Sequence, residues 1–272
     1  MKVTVLGSGA WEGIPALFCS CRVCVLAANP TSKDYRTRPQ FLVTKGHRGF
    51  LLEAGPDIRT QTANRHLSMI KDFVISHWHF DHMYGLHEML TWSKSLTEKP
   101  TIFCSPETQK VLSGEFSYLP LTVKVVQPFE PFRLSGINIT PLPVCHMRLR
   151  DEGIRENALQ NSYAYLLEDE GLRIAYLGDY YSIPDKSLKK LRNLDAVIAD
   201  GTYLLIEKFK KIKPNHIHGK NIIKFTKSLK AKKVFYHSIS HLTRKTHQEI
   251  QAVLPKNHFA TFDGMQIMLE RS

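Results

Sequence analysis

Ser76-His77-Trp78-His79-Phe80-Asp81-His82 follows directly on the apolar run Phe73-Val74-Ile75, and the rest of the chain is read outward from it. A β-rich apolar run that turns abruptly polar marks a strand ending on a loop. Three imidazoles and a carboxylate within six residues of such a loop can point into one small volume. Nitrogen and oxygen donors of this kind suit Zn²⁺, Mn²⁺ or Fe²⁺. Scattered singly, the same residues would be surface groups or satisfied core groups. Their packing makes them candidate ligands.

Three more ligand types stand at the ends of apolar runs. His146 closes Ile137-Asn138-Ile139-Thr140-Pro141-Leu142-Pro143-Val144-Cys145, Asp179 closes Ile174-Ala175-Tyr176-Leu177-Gly178, and His237 closes Val234-Phe235-Tyr236. Active sites gather on loops above a rigid sheet, so the recurrence is informative where each residue alone is not. His77, His79, Asp81, His82, His146, Asp179 and His237 exceed what one tetrahedral cation takes. They suit two, with a carboxylate able to bridge. Asn215-His216-Ile217-His218 adds two imidazoles whose ordinary pKa fits proton donation at neutral pH.

Cys19-Ser20-Cys21-Arg22-Val23-Cys24 is a second constellation. Three thiolates at this spacing call for a fourth ligand to close a tetrahedral zinc site. The chain has 5 cysteines, an odd number, with Cys104 and Cys145 standing apart. That is a poor disulfide framework, and with the N-terminal run Lys2–Gly9, which lacks the apolar core of a signal peptide, it leads us to expect a cytoplasmic protein.

The 272 residues are 43% hydrophobic and 23% charged, an ordinary globular composition that excludes disordered and collagen-like chains. No stretch approaches the roughly 18 apolar residues of a membrane span. The 37 Lys+Arg against 25 Asp+Glu give a net charge of +12. Basic residues crowd between Lys186 and Lys233, where the acidic residues are Asp195, Asp200 and Glu207. Such a region attracts phosphates, from nucleic acid down to small esters, although without RNA-binding signatures nucleic acid is not favoured.

Apolar β-rich runs predict strands at Lys2 to Leu6, Gln40 to Thr44, Gly49 to Glu53, Asp72 to Ser76, Thr101 to Cys104, Leu121 to Val126 and Ile137 to Leu142. Later ones cover Ser162 to Glu168, Leu172 to Leu177, Ala196 to Ala199 and Lys233 to Tyr236, and Asp263-Gly264 predicts a hairpin joining Phe259–Phe262 to Met265–Leu269. Helices fit Met83 to Lys94, Pro106 to Ser113, Pro184 to Arg192, Lys220 to Leu229 and Arg244 to Val253. Strands in two batches, each followed by helices, suit an α/β (α+β) protein of stacked sheets with helices outside. No repeat or linker divides the chain, so one domain over residues 1–272 is expected.

With these motifs the chain resembles the hydrolases of the metallo-β-lactamase fold. Gly7-Ser8-Gly9 before Gly13-Ile14-Pro15, the cysteine cluster, and Phe262-Asp263-Gly264-Met265 narrow the likeness to the branch of phosphodiesterases accessory to the carbon–phosphorus lyase pathway. The resemblance implies a four-layer αββα sandwich, two catalytic Mn²⁺ or Zn²⁺ ions and one structural Zn²⁺. It assigns His77, His79 and His146 to one ion and Asp81, His82 and His237 to the other, bridged by Asp179. Asp81 and His216 become the catalytic residues, His216 as general acid, with His218 as its substitute. Cys19, Cys21, Cys24 and His241 would hold the structural zinc. The implied partner is a small anionic phosphodiester, with no membrane, and on the likeness alone the chain is a homodimer.

The chain departs from that pattern in places. His237 and His241 are separated by three residues where the family has two, so a different pairing of these histidines with the two sites stays open. Glu53 stands where the family carries aspartate, Arg148–Gln160 is inserted after His146, and Asp200-Gly201-Thr202-Tyr203 differs near the pocket. Two other functions compete. A transfer-RNA 3′-processing endonuclease of the same superfamily would need a catalytic histidine that Asp200-Gly201-Thr202 does not offer. A non-hydrolytic, metal-binding biosynthetic member would have kept the fold and lost turnover.

Overall fold

In the computed structural model, residues 1–63, 65, 67, 70–93, 99–146, 162–207 and 215–269 are described. The insertion at 148–160 lies outside them. Strands β1 (Lys2–Gly7), β2 (Gln40–Lys45), β3 (Arg48–Leu52), β4 (Asp72–Val74), β5 (Thr101–Cys104) and β6 (Thr122–Val125) build a first sheet. Strands β7 (Phe132–Leu134), β8 (Ile137–Val144), β9 (Ser162–Asp169), β10 (Leu172–Leu177), β11 (Ala196–Asp200), β12 (Lys233–His237) and β13 (His258–Ala260) build a second. The last strand, β14 (Gln266–Met268), returns to the first sheet beside β1, giving the order β14-β1-β2-β3-β4-β5-β6 against β13-β12-β11-β10-β9-β8-β7. Both sheets are mixed: β3 to β6 run parallel, as do β10 to β13, and the remaining pairs are antiparallel.

Strand alternation sorts the side chains into layers. Phe50 and Leu52 of β3, Ile174 and Tyr176 of β10, and Phe235 of β12 meet in the core between the sheets. Their neighbours Ala175, Leu177, Val234 and Tyr236 face outward onto Ile222, Leu229 and Ile250. Leu51 and Phe73 face Ile58, Met83, Leu86 and Leu112 on the other outer side. Helices cover both outer faces, so the architecture is the four-layer αββα sandwich. Each large apolar chain fully buried in these layers contributes roughly 1.5–3 kcal/mol.

Three helical elements are shorter or more broken than the sequence predicts, while that at Pro106–Glu115 runs two residues longer than expected. The segment after the His-Asp-His loop is α-helical over Phe80–Met83, 3₁₀ over Tyr84–Glu88 and α-helical again over Met89–Ser93. The helix read over Pro184 to Arg192 is confined to Asp185–Leu188. The one read from Arg244 begins at His247, because Thr246 forms a capping box with Glu249. Among the described residues no helix is long and apolar enough to cross a membrane.

The hairpin expected around Asp263-Gly264 is not formed: its two flanks lie in different sheets. Asp263 accepts bonds from Ser8 N (2.8 Å), Ser8 Oγ (2.7 Å), Thr37 N (2.7 Å) and Thr37 Oγ1 (2.6 Å). Gly264, at φ +91°, gives its N–H to Val5. The Asp-Gly pair therefore makes a turn, but one tied across to the first sheet rather than back onto β13.

Candidate metal centre

The strand ends of both sheets meet at one rim, and the polar residues gather there. β4 delivers His77 and His79 and leads into the Phe80–Met83 turn that carries Asp81 and His82. β8 delivers His146, β10 delivers Asp179 and β11 ends on Asp200. His77, His79, His146 and Asp179 bring one ligand atom each within 4.8 Å of one another, as do Asp81, His82 and Asp179. Asp179 Oδ2 is the common point. It lies 3.8 Å from His77 Nε2, 3.4 Å from His82 Nε2, 3.5 Å from His146 Nε2 and 3.8 Å from His216 Nε2.

The electrostatics agree with a cation site. Burial, reinforced by the neighbouring imidazoles, holds His77 well below the ordinary histidine value. Burial does the same at His146 and, less strongly, at His79. Their nitrogens are therefore neutral and able to donate lone pairs. At His82 burial opposes charge, but Asp81, Asp179 and Glu53 outweigh it and raise its pKa well above the ordinary value. Burial alone would raise the Asp179 carboxyl; His82 and His216 hold it well below the usual range. His77 Nε2 and Asp179 Oδ1 are buried with no hydrogen-bond partner among the described residues. A buried polar atom left unpaired is costly, and a cation between them would satisfy both.

Two carboxylates support the histidines of the centre, both at places where the chain departs from the resembled family. Glu53, wholly buried, sits 3.3 Å from His82 Nδ1 and is fixed by Tyr176 Oη (2.8 Å) and Ser76 N (3.2 Å). It thus turns His82 Nε2 toward Asp81, 3.2 Å away. Its φ of +66° is strained for a residue with a side chain, a cost held in place by the rim. The signal available beforehand was an acid at the end of an apolar strand, at the position where the resembled family carries aspartate. Asp200 is the second: its Oδ2 lies 2.7 Å from His216 Nδ1, while Oδ1 accepts from Thr202 N and Oγ1. Burial disfavours charge on His216, but Asp200 and Asp179 override it and push its pKa up to about 9.

His216 is turned to the centre, whereas His218, whose backbone pairs with Tyr203, belongs to none of the described ligand groups. A cavity of about 190 Å³ opens onto the centre, lined by Trp11, His79, Asp81, Asp179, Tyr203 and His216 among others. Cys19, Cys21 and Cys24 form a separate cluster with His241, their sulfurs 3.3, 3.8 and 3.6 Å from its Nδ1. The expectation for His237 needs correction. It joins neither group, because it is the last residue of β12 and shares the inter-sheet face with Phe235.

Comparison with known proteins places this geometry. The family model described as "Beta-lactamase superfamily domain" matches residues 48–238. A crystal structure of a diphosphatase from the PhnP family superposes with a TM-score of 0.81 at 29% identity, covering 99% of this chain and 98% of that one. Coenzyme PQQ synthesis protein B of Methylobacterium radiotolerans is 29% identical over 225 residues, 75% of this chain and 74% of that protein. An octanoyltransferase of Porphyromonas gingivalis is 24% identical over 280 residues, 99% of this chain. The chain spans 52% of that relative's length, about half.

Proposed function

The chain belongs to the β-lactamase superfamily, and we propose that within it this protein is a metal-dependent phosphodiesterase acting on a small cyclic or simple phosphodiester. The observation that carries the reading is the convergence of three ligand groups on Asp179, one of them containing a carboxylate-held imidazole, His216. His77, His79 and His146 would hold one divalent cation, Asp81 and His82 the other, and Asp179 both. Cations bound there would generate a nucleophile from water at neutral pH and neutralise the charge of the diester.

The remaining work falls to the chain's own side chains. Asp200 keeps the Nδ1–H of His216 engaged, so that Nε2 is the nitrogen presented to the cavity. A proton on Nε2 is then placed for the departing alkoxide, which is the step an ester of a poor leaving group needs. Trp11 and Tyr203 wall the cavity with aromatic surface. Cys19, Cys21, Cys24 and His241 would hold a structural zinc, tying the N-terminal loop to the segment after β12. The basic stretch from Lys186 to Lys233 favours an anionic substrate.

A second reading, cleavage of a diphosphate, draws on the diphosphatase that superposes over 99% of the chain. It requires the same attack at phosphorus with a phosphate as leaving group. The test is a panel given to metal-loaded protein: a ribosyl cyclic phosphate, a nucleoside 2′,3′-cyclic phosphate, a disubstituted diphosphate, a precursor transfer RNA and a lactone. Preference for a cyclic phosphate supports the first reading, and preference for the diphosphate supports the second. Cleavage of the transfer RNA with the small esters untouched overturns both.

A further inference from the structure

The two ligand groups that draw on the His77–His82 loop are unequal. His77, His79, His146 and Asp179 offer four ligand atoms within 4.8 Å, enough to close a tetrahedral site. The neighbouring group consists of Asp81, His82 and the shared Asp179, so among the described residues two side chains are its own. The role of a further nitrogen was expected of His237, and the structure shows why it is not free to fill it.

His237 Nε2 lies 3.0 Å from the carbonyl oxygen of Leu177, to which it donates. That leaves Nδ1 to accept from Ser238 Oγ at 2.8 Å, so both ring nitrogens are engaged. The ring stacks on Tyr176 at 5.3 Å and meets Phe41 edge-on at 5.2 Å, fully buried between the sheets. Turning it toward the rim would abandon both hydrogen bonds and leave a gap among packed rings. The cause is parity: β12 runs through His237, and one step along a strand exchanges the faces. His216 belongs to a third group with Asp179 and Asp200, its Nδ1 on Asp200 and its Nε2 3.8 Å from Asp179, and the proposed function gives that nitrogen to proton transfer.

We infer that this chain forms one firm cation site at His77, His79, His146 and Asp179 and one weaker, substrate-completed site at Asp81, His82 and Asp179. The inference rests on the metal centre of the proposed function and adds an order of loading. The first cation is resident. The second is completed by an oxygen donor from outside the chain, for which a phosphodiester oxygen has the right hard chemistry.

The test is a Mn²⁺ titration of full-length protein stripped at the centre with its cysteine site kept zinc-filled, reading bound Mn²⁺ by electron paramagnetic resonance. Mn²⁺ is suited to carboxylate and imidazole rather than thiolate, so the cysteines do not interfere. The expected result is a tight phase followed by one weaker by at least 10–100-fold, roughly the loss that even an outer-sphere defect brings. Adding a non-hydrolysable phosphate diester should tighten the second phase alone. Asp81→Asn should remove the weak phase and spare the tight one. His237→Gln, which retains a donor and an acceptor, should change neither. Two phases of equal affinity, or loss of the weak phase in a folded His237→Gln or His216→Ala protein, would overturn the inference. Absence of any bound Mn²⁺ would instead remove the metal centre, and with it the proposed function.

Discussion

Asp200 Oδ2 lies 2.7 Å from Nδ1 of His216, and the same carboxylate is pinned through its other oxygen by the N–H and hydroxyl of Thr202. Asp200 is the final residue of β11, so a strand end, a tight turn and an imidazole are fixed by one side chain. The imidazole inherits its orientation from the sheet.

His216→Ala should therefore lower turnover of esters with alkoxide leaving groups by roughly 10²–10⁴, and of aryl esters by much less. Asp200→Asn should lower kcat on the same poor substrates by about 10–100-fold with little change in KM. The double variant should be no worse than His216→Ala, because the two residues act as one unit. Steady-state kinetics across leaving groups checks all three. Losses independent of the leaving group, or fully additive ones, would show that Asp200 only supports the fold.

The cysteine cluster makes a separate prediction. Its members come from the loop and short helix near residue 20 and from His241, more than 200 positions later, so a cation there staples distant segments. Cys24, buried and accepting the Ala16 N–H at 3.4 Å, is the innermost sulfur, its thiol pushed up to about 12 chiefly by burial. A bound cation replaces that proton. Cys24→Ser should release zinc, measured by elemental analysis, and lower the Tm by roughly 5–15 °C. Asp81→Ala should abolish hydrolysis with the Tm nearly unchanged. An unchanged melting point in zinc-free Cys24→Ser would remove the structural role.

How much of this was legible follows from locality. The His77–His82 loop and the cysteine cluster are each contiguous, so their chemistry is visible in the order of residues. Asp179 and His146 were readable as strand-end residues because apolar alternation shows where a strand runs. His237 was not, since its direction depends on whether β12 stops one residue earlier, and periodicity does not fix a boundary that finely. Glu53 and Asp200 support histidines 29 and 16 positions away, through pairings that exist only once the sheets stack. Asp263-Gly264 carried a true turn signal, but the partners of that turn, Ser8 and Thr37, are chosen by the fold.

Close backbone contact holds the Asp81–His82 turn against the strand end at Glu53. Gly85 donates to Ala54 O at 2.8 Å, and a Cβ built on it would come 1.9 Å from Gly55 O. Gly85→Ala must push these segments apart, so it should cost about 1–3 kcal/mol and weaken the second Mn²⁺ phase as Asp81 and His82 shift. Gly114, near the end of the helix at Pro106–Glu115, meets nothing within 4 Å, and Gly114→Ala should stabilise by about 0.5–1 kcal/mol. Urea midpoints decide between them. Effects of the same sign at both positions would refute the steric account.

The last prediction concerns acid stability and a histidine far from the centre. His247 is buried against Phe262, with Nδ1 3.3 Å from the Arg36 guanidinium and its backbone N–H on Asp34 at 2.6 Å. Burial, then Arg36 and Lys33, lower its pKa to about 4, with Asp34 pulling weakly the other way. An unfolded histidine titrates near 6.5, so between about pH 6.5 and 4 the unfolded chain takes up a proton that the folded one refuses. The contribution of a neutral His247 is thus fully present above about pH 6.5, shrinks as the pH falls, and changes no further below about 4. His247→Gln, which offers Arg36 an acceptor that does not titrate, should lose less stability over that window and match the parent's pH dependence above about pH 7. Urea midpoints taken every half unit from about pH 7.5 to 4 make the comparison. If the two curves ran parallel through the whole range, His247 would not be the group that the acid limb reports.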